Sequence, residues 1–131
     1  MAHEYINPDG LFKPGAYSHV VRAQGSTTVA IAGQVALDAD GNLVGKDDFA
    51  AQAKQTYANV KTALAAGGAT LDDVTKMTAF IVNYSPDVFP ALIAARQEVL
   101  GANLPANTLI GVQALAAPEF LIEVEAVAII D

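Results

Sequence analysis

Leu121-Ile122-Glu123-Val124-Glu125-Ala126-Val127-Ala128-Ile129-Ile130 is the stretch whose alternation decides the architecture. Read as a strand, its successive side chains point to opposite faces. One face carries Ile122, Val124, Ala126, Ala128 and Ile130 and has no polar group. The other sets Glu123 and Glu125 among Leu121, Val127 and Ile129. A half-apolar, half-acidic face should not lie open to water, so the pattern predicts a strand covered on both sides.

The elements before it decide what does the covering. Thr108 to Leu115 predicts a strand that reaches residues 121–130 through a turn around Pro118. Val74 to Asn83 alternates as well, Val74, Lys76, Thr78, Phe80 and Val82 against Thr75, Met77, Ala79 and Ile81. Phe49, Ala53, Tyr57, Val60 and Leu64 recur every three or four residues, predicting a helix over 48–66 with Asp47 as its cap and Gly67-Gly68 as its end. Thr70 to Asp73 reads as a short capped turn. A second helix runs to Leu100 and closes on Gly101. Ser85-Pro86 suits its start, but Pro90 lacks a donor N–H, so a start near Phe89 stays open. At the N-terminal end, residues 5–16 read as an irregular lead-in. Ser18 to Ala23 and Thr28 to Val35 are β-like runs that Gln24-Gly25-Ser26 would join as a hairpin, and Asp38 to Asn42 is the tip of a second hairpin ending near Val44. The order predicts an α+β class, a mixed sheet with two helices. Two helices cover only one face, so the other is expected to close against sister subunits.

Composition narrows the chemistry. The 131 residues suit one domain, 1–131, and 53% hydrophobic with 16% charged residues is too apolar for disorder. A formal net charge of -7 argues against a nucleic-acid partner. With no cysteine there is no disulfide, thiolate nucleophile or zinc–thiolate site, and only His3 and His19 could offer imidazole, so no metal site is expected. No apolar run approaches the ~20 residues of a bilayer span, and the first residues lack the basic and apolar regions of a signal peptide. The expected location is cytoplasmic, with no membrane partner. Gly41 to Lys46 superficially resembles a phosphate loop, but its spacing is one residue short and Asp47 replaces the needed hydroxyl residue. Ser18 and His19 would point to opposite faces of a strand and cannot act as nucleophile and base.

Residues 15–130 resemble the RidA/YjgF family, also called endoribonuclease L-PSP or reactive-intermediate deaminases. Gly15-Ala16-Tyr17-Ser18-His19-Val20-Val21 matches its G-x-Y-S-x-x-V opening, and Ala32-Gly33-Gln34 its S-G-Q. Gln52 through Asn59-Val60, Leu64, Gly67-Gly68-Ala69 and Asp73 to Lys76 match the first helix and its exit. Leu104-Pro105-Ala106 and Ile122 to Ala128 match the C-terminal signature. The resemblance implies a chorismate-mutase-like homotrimer whose sheets form an inner barrel, with a cleft at each subunit interface. It also implies cofactor-free hydrolysis of small enamines and imines, such as 2-aminoacrylate tautomers, to a keto acid and ammonia.

In the family an arginine directly after Pro-Ala grips the substrate carboxylate, and a glutamate on the last strand positions water. Glu123 matches the glutamate, whereas Asn107 stands at the arginine's place and offers an amide rather than a charged bidentate fork. Ala32 replaces the serine before Gly33, Leu109 a small or thiol residue, and Ile93 a frequent asparagine. The cleft should therefore be more apolar, and the substrate different from 2-aminoacrylate. Glu123 is the candidate base. Tyr17, Ala32, Gly33, Ile93, Asn107 and Leu109 are the candidate substrate contacts, Gly33 through its bare backbone. Arg96 reads as a solvated or salt-bridged helix residue, yet it is the one cation that could stand in for the missing arginine. A non-catalytic small-molecule-binding trimer is the alternative, and an endoribonuclease the third reading, which the negative charge opposes.

Overall fold

A computed structural model of the chain describes residues 3–100 and 103–131. Six strands and two α-helices follow in the order β1 (Glu4–Ile6), β2 (Val20–Arg22), β3 (Thr27–Gln34), α1 (Phe49–Ala66), β4 (Val74–Val82), α2 (Phe89–Leu100), β5 (Ala106–Val112) and β6 (Ile122–Ile130). The main sheet has the order β3-β6-β4-β5. β6 lies antiparallel to both its neighbours, and β5 runs parallel to β4 at the edge. The α+β mixed sheet predicted from the alternation is therefore present, with β6 at its centre. No helix among the described residues is long and apolar enough to cross a membrane.

Both helices cover one face. Ala53, Tyr57, Val60 and Leu64 of α1 and Leu92 and Ala95 of α2 are buried together with Met77, Ala79 and Ile81 of β4 and Ile122, Val124, Ala126 and Ala128 of β6. Each large apolar side chain removed from water in this layer contributes about 1.5–3 kcal/mol. The opposite face has no covering layer among the described residues. Glu123 pairs with Phe80 and Phe80 with Ile110, so these three share the uncovered side, as do Glu125 with Thr78 and Val127 with Lys76.

Four local expectations change. The hairpin between residues 18–23 and 28–35 does not form. β2 gives its three residues to β1, which overlaps the start of the stretch read as irregular, while the eight-residue β3 pairs with the nine-residue β6. Gly25 is no hairpin tip but a close crossing, where a Cβ would come within 2.5 Å of the Ile130 carbonyl oxygen. Val74 leaves the face of Lys76, because a bulge at Thr75 breaks the register between Val74↔Ala128 and Lys76↔Val127 and turns Val74 into the core. The cap of α1 is Asp48, whose carboxylate accepts from the Ala51 N–H at 3.1 Å, while Asp47 takes a left-handed φ of 57° just before it.

The other boundaries follow the residues. Gly67 closes α1 with its N–H on the Ala63 and Leu64 carbonyls, and Gly68 adopts φ 80° as a helix exit requires. Thr70 donates its N–H to Asp73 at 2.7 Å in the short turn before β4. Pro86 to Val88 form a 3-10 turn leading into α2, which places Pro90 in the first helical turn, where no intrahelical N–H is missed. Gly101 lies outside the described residues. The second small hairpin is present, with Asp38 and Asn42 joined backbone to backbone at 2.9 Å.

Candidate active site

The site begins with how residues 15–18 are tied down. Ser18 donates its N–H to the Pro105 carbonyl at 3.2 Å and its hydroxyl to the Leu104 carbonyl at 2.6 Å. Arg96 reaches from α2 to donate a guanidinium N–H to the Ala16 carbonyl. These bonds hold the lead-in beside the start of β5 and set Tyr17 at the mouth of a cavity. The ring of Tyr17 is braced edge-on by Phe12 and His19, with centroids 6.4 and 5.4 Å away. Ser18 and His19 are thus both structural, since the His19 ring bonds the Phe12 carbonyl at 2.8 Å.

The cavity has a volume of about 120 Å³ and is lined by Ala16, Tyr17, Phe89, Leu92, Ile93, Arg96, Asn107 and Leu109. Asn107 and Leu109 pair with Met77 and Ala79 of β4 and so project to the helix side of the sheet. Phe89, Leu92, Ile93 and Arg96 come from one face of α2, as steps of three and four residues require. Tyr17, Ile93, Asn107 and Leu109, four of the substrate contacts expected from sequence, are brought together here. Ala32, Gly33 and Glu123 are not among them.

Glu123 lies on the opposite, uncovered face. It is half-buried, and its carboxylate lies over Gly33 so closely that a Cβ at residue 33 would meet Oε2 at 2.1 Å. The absence of a side chain at Gly33 therefore fixes where this carboxylate rests. Ala32 and Gly33 fall in the register break between Ile31 and Gln34 of β3, the other edge of the sheet. The candidate residues thus form two half-sites on opposite faces and near opposite edges. A broader groove of about 700 Å³ runs beside Gly33 along α1. Its main polar groups are already engaged, since Asn59 donates to the Val35 and Leu37 carbonyls at 2.9 and 2.8 Å and accepts from Gln55 at 2.8 Å.

Two polar atoms in the smaller cavity's lining are buried and have no partner among the described residues, Asn107 Oδ1 and Arg96 Nε. Arg96 is only 4% exposed and forms no ion pair among the described residues, which corrects its reading as solvated or salt-bridged. Burial pushes the guanidinium pKa down, and Tyr57 opposes that shift. Burial pushes the Tyr57 hydroxyl up to about 12. Its spacing put Arg96 on the helix face of Leu92 and Ile93, but nothing local marked it as buried. Gln52 was unmarked in the same way. It is fully buried and makes three hydrogen bonds, to the Gly45 carbonyl at 3.1 Å, the Glu119 carbonyl at 2.9 Å and the Leu121 N–H at 2.9 Å, so it clamps the entrance of β6.

The family model for Endoribonuclease L-PSP matches residues 11–130. A crystal structure of the Rid-family protein YyfB from Yersinia pestis, described as of unknown function, is 44% identical, covers 99% of this chain and 100% of its own, and superposes with a TM-score of 0.93. A RutC family protein of Pyrococcus abyssi is 31% identical over 98% of both chains. The 2-iminobutanoate/2-iminopropanoate deaminase of Dermatophagoides farinae is 30% identical over 89% of this chain and 88% of its own.

Proposed function

We propose, on the premise that this chain belongs to the Endoribonuclease L-PSP family, that it is an imine or enamine hydrolase working in a cleft between subunits of a homotrimer. Its substrate is small, partly apolar and different from 2-aminoacrylate. The observation that carries this reading is the orphaned acceptor Asn107 Oδ1 in an apolar cavity. A buried carbonyl oxygen without a donor is costly, and the N–H of an imine supplies one.

In the reaction water adds to the carbon of the C=N bond while Glu123 of the partner subunit takes the water's proton. The C–O bond forms as the imine nitrogen is protonated. The carbinolamine then collapses: its hydroxyl proton passes through Glu123 to the amine nitrogen, the C–N bond breaks, ammonia leaves and a carbonyl product remains. Asn107 orients the nitrogen, Tyr17, Ile93 and Leu109 hold the apolar part, and the backbone at Ala32-Gly33 lets substrate approach the carboxylate. No cofactor enters this scheme, because both proton transfers lie within the reach of a carboxylate and water. The related deaminase of Dermatophagoides farinae supports the reaction class.

Assembly is part of the proposal because the half-sites cannot meet within one chain. The uncovered face presents Phe80, Val82, Val127 and Ile129 around Glu123, and the edge strand β5 leaves Leu109 and Ile110 each 38% exposed. An open edge and a half-apolar face are both relieved when copies pack around a common axis. Light scattering at micromolar concentration is expected to give about 40 kDa, three times the chain's 13.5 kDa. A 13.5 kDa particle would remove the cleft and the mechanism with it.

The activity itself is tested by generating imines in situ from a panel of amino acids and amines and following ammonia release. Acceleration is expected for small apolar imines. A flat response across the panel, with ligands still binding the cavity, would leave the non-catalytic binder, which the uncharged side chain at Asn107 favours. A location in the cytoplasm fits such a housekeeping hydrolysis.

A further inference from the structure

We infer that Arg96 is the anion-binding residue of this cavity, its guanidinium taking the carboxylate of a short-chain monocarboxylic acid. The assignment rests on the hydrolase reading above, because the same cavity would hold the reacting end of the substrate. It goes beyond that reading in placing a positive charge on the second helix, where residue 107 of β5 offers only an amide.

Three observations converge on it. Arg96 is 96% buried by its 4% exposure, yet the described residues offer it no carboxylate. A buried charge left without a counter-ion is strongly unfavourable, and one backbone carbonyl, that of Ala16, only partly relieves it. Its Nε has no partner among the described residues, and Arg96 lines the cavity together with Asn107, whose Oδ1 also has none among them. One unfilled donor and one unfilled acceptor in an apolar chamber describe the ligand from the protein's side. It carries an anionic acceptor, an N–H and a small apolar chain.

The size agrees. A liquid water takes about 30 Å³, so 120 Å³ equals the space of about four waters and suits a molecule of only a few non-hydrogen atoms. The guanidinium enters the cavity from α2, whereas residue 107 enters it from β5. The carboxylate would sit against α2 and Tyr17, and the apolar chain would extend along Leu109 toward the neighbouring subunit.

Equilibrium binding of butanoate and butanamide, which differ only in charge and one heavy atom's identity, tests the assignment without turnover. Titrations followed by NMR on the full-length protein are expected to show butanoate binding at least about tenfold tighter than the amide. In Arg96→Met that preference should fall to near unity, and Arg96→Lys should restore part of it through its point charge. Arg96→Met exchanges an unpaired buried charge for an apolar side chain of similar length, so its fold should survive. Where it does not fold, Asn107→Asp decides, since an aspartate placed in the cavity should occupy the guanidinium, remove the butanoate preference and raise Tm. Equal binding of the two probes by the unaltered protein overturns the assignment, as does a preference that persists in Arg96→Met or in Asn107→Asp. Ammonia release is read separately. Hydrolysis without butanoate preference removes only the role of Arg96, and butanoate preference without hydrolysis removes only the catalytic reading.

Discussion

Replacing Glu123 by glutamine is expected to lower imine hydrolysis by about 10²–10⁴-fold while leaving Tm and the trimer mass unchanged. The glutamine keeps the size and shape of the side chain that rests over Gly33. It removes only the ability to accept a proton from water. Glu123 is half-buried on the uncovered face, so the neutral amide creates no new buried charge and leaves the helix-covered core untouched. Glu125→Gln is the matched control. It lies two residues along the same face, is exposed, and has no glycine beneath it. Comparable loss in both variants would mean that the face needs negative charge rather than a base at one point. No loss in Glu123→Gln would place the base elsewhere.

The second large effect concerns stability. Gln52→Leu should destabilise the protein by about 3 kcal/mol, since it strands the Gly45 and Glu119 carbonyls and the Leu121 N–H that Gln52 now satisfies. Each lost bond to a buried backbone group costs roughly 1–3 kcal/mol, and partial access of water to Glu119 holds the sum toward the lower end. For a chain of this length that corresponds to a fall in Tm on the order of 10 °C, measured at equal protein concentration because assembly contributes. Gln52→Glu should cost at least as much, because at this fully buried position a carboxylate would face the Gly45 and Glu119 carbonyl oxygens with no counter-charge. An unchanged Tm in Gln52→Leu would show that the loop before β6 does not depend on this clamp.

What the sequence made legible follows from which forces are local. Alternation along residues 121–130 and 74–83 reports burial residue by residue, so both strands and the covered face could be read directly. The 3.6-residue spacing of Phe49 to Leu64 did the same for α1. Pairing between strands is not local, and the glycine at residue 25 misled because a turn and a close crossing both exclude a side chain. The bulge at Thr75 was invisible for a similar reason, since one extra residue leaves no compositional mark. In the site, Tyr17, Ile93, Asn107 and Leu109 could be grouped through a family resemblance, and they do converge on one cavity. The burial of Arg96 could not be read, because a lone arginine on a helix is ordinarily solvated and only the tertiary contact with Ala16 reveals otherwise.

The bonds that tie residues 16–18 to the far end of the chain bear on how the molecule folds. Ser18 to Leu104 spans 86 residues and Arg96 to Ala16 spans 80. Closing loops of that length costs entropy before any contact rewards it, so such contacts form late and contribute to slow folding. The helix-covered layer of β4 and β6 can consolidate first. Held by these few bonds, the cavity wall is expected to open more readily than the strands behind it, seen as weaker hydrogen-exchange protection at residues 16–18. Opening of that wall admits solvent to the guanidinium without disturbing the sheet, and gives a small molecule a way in that does not require the subunits to separate.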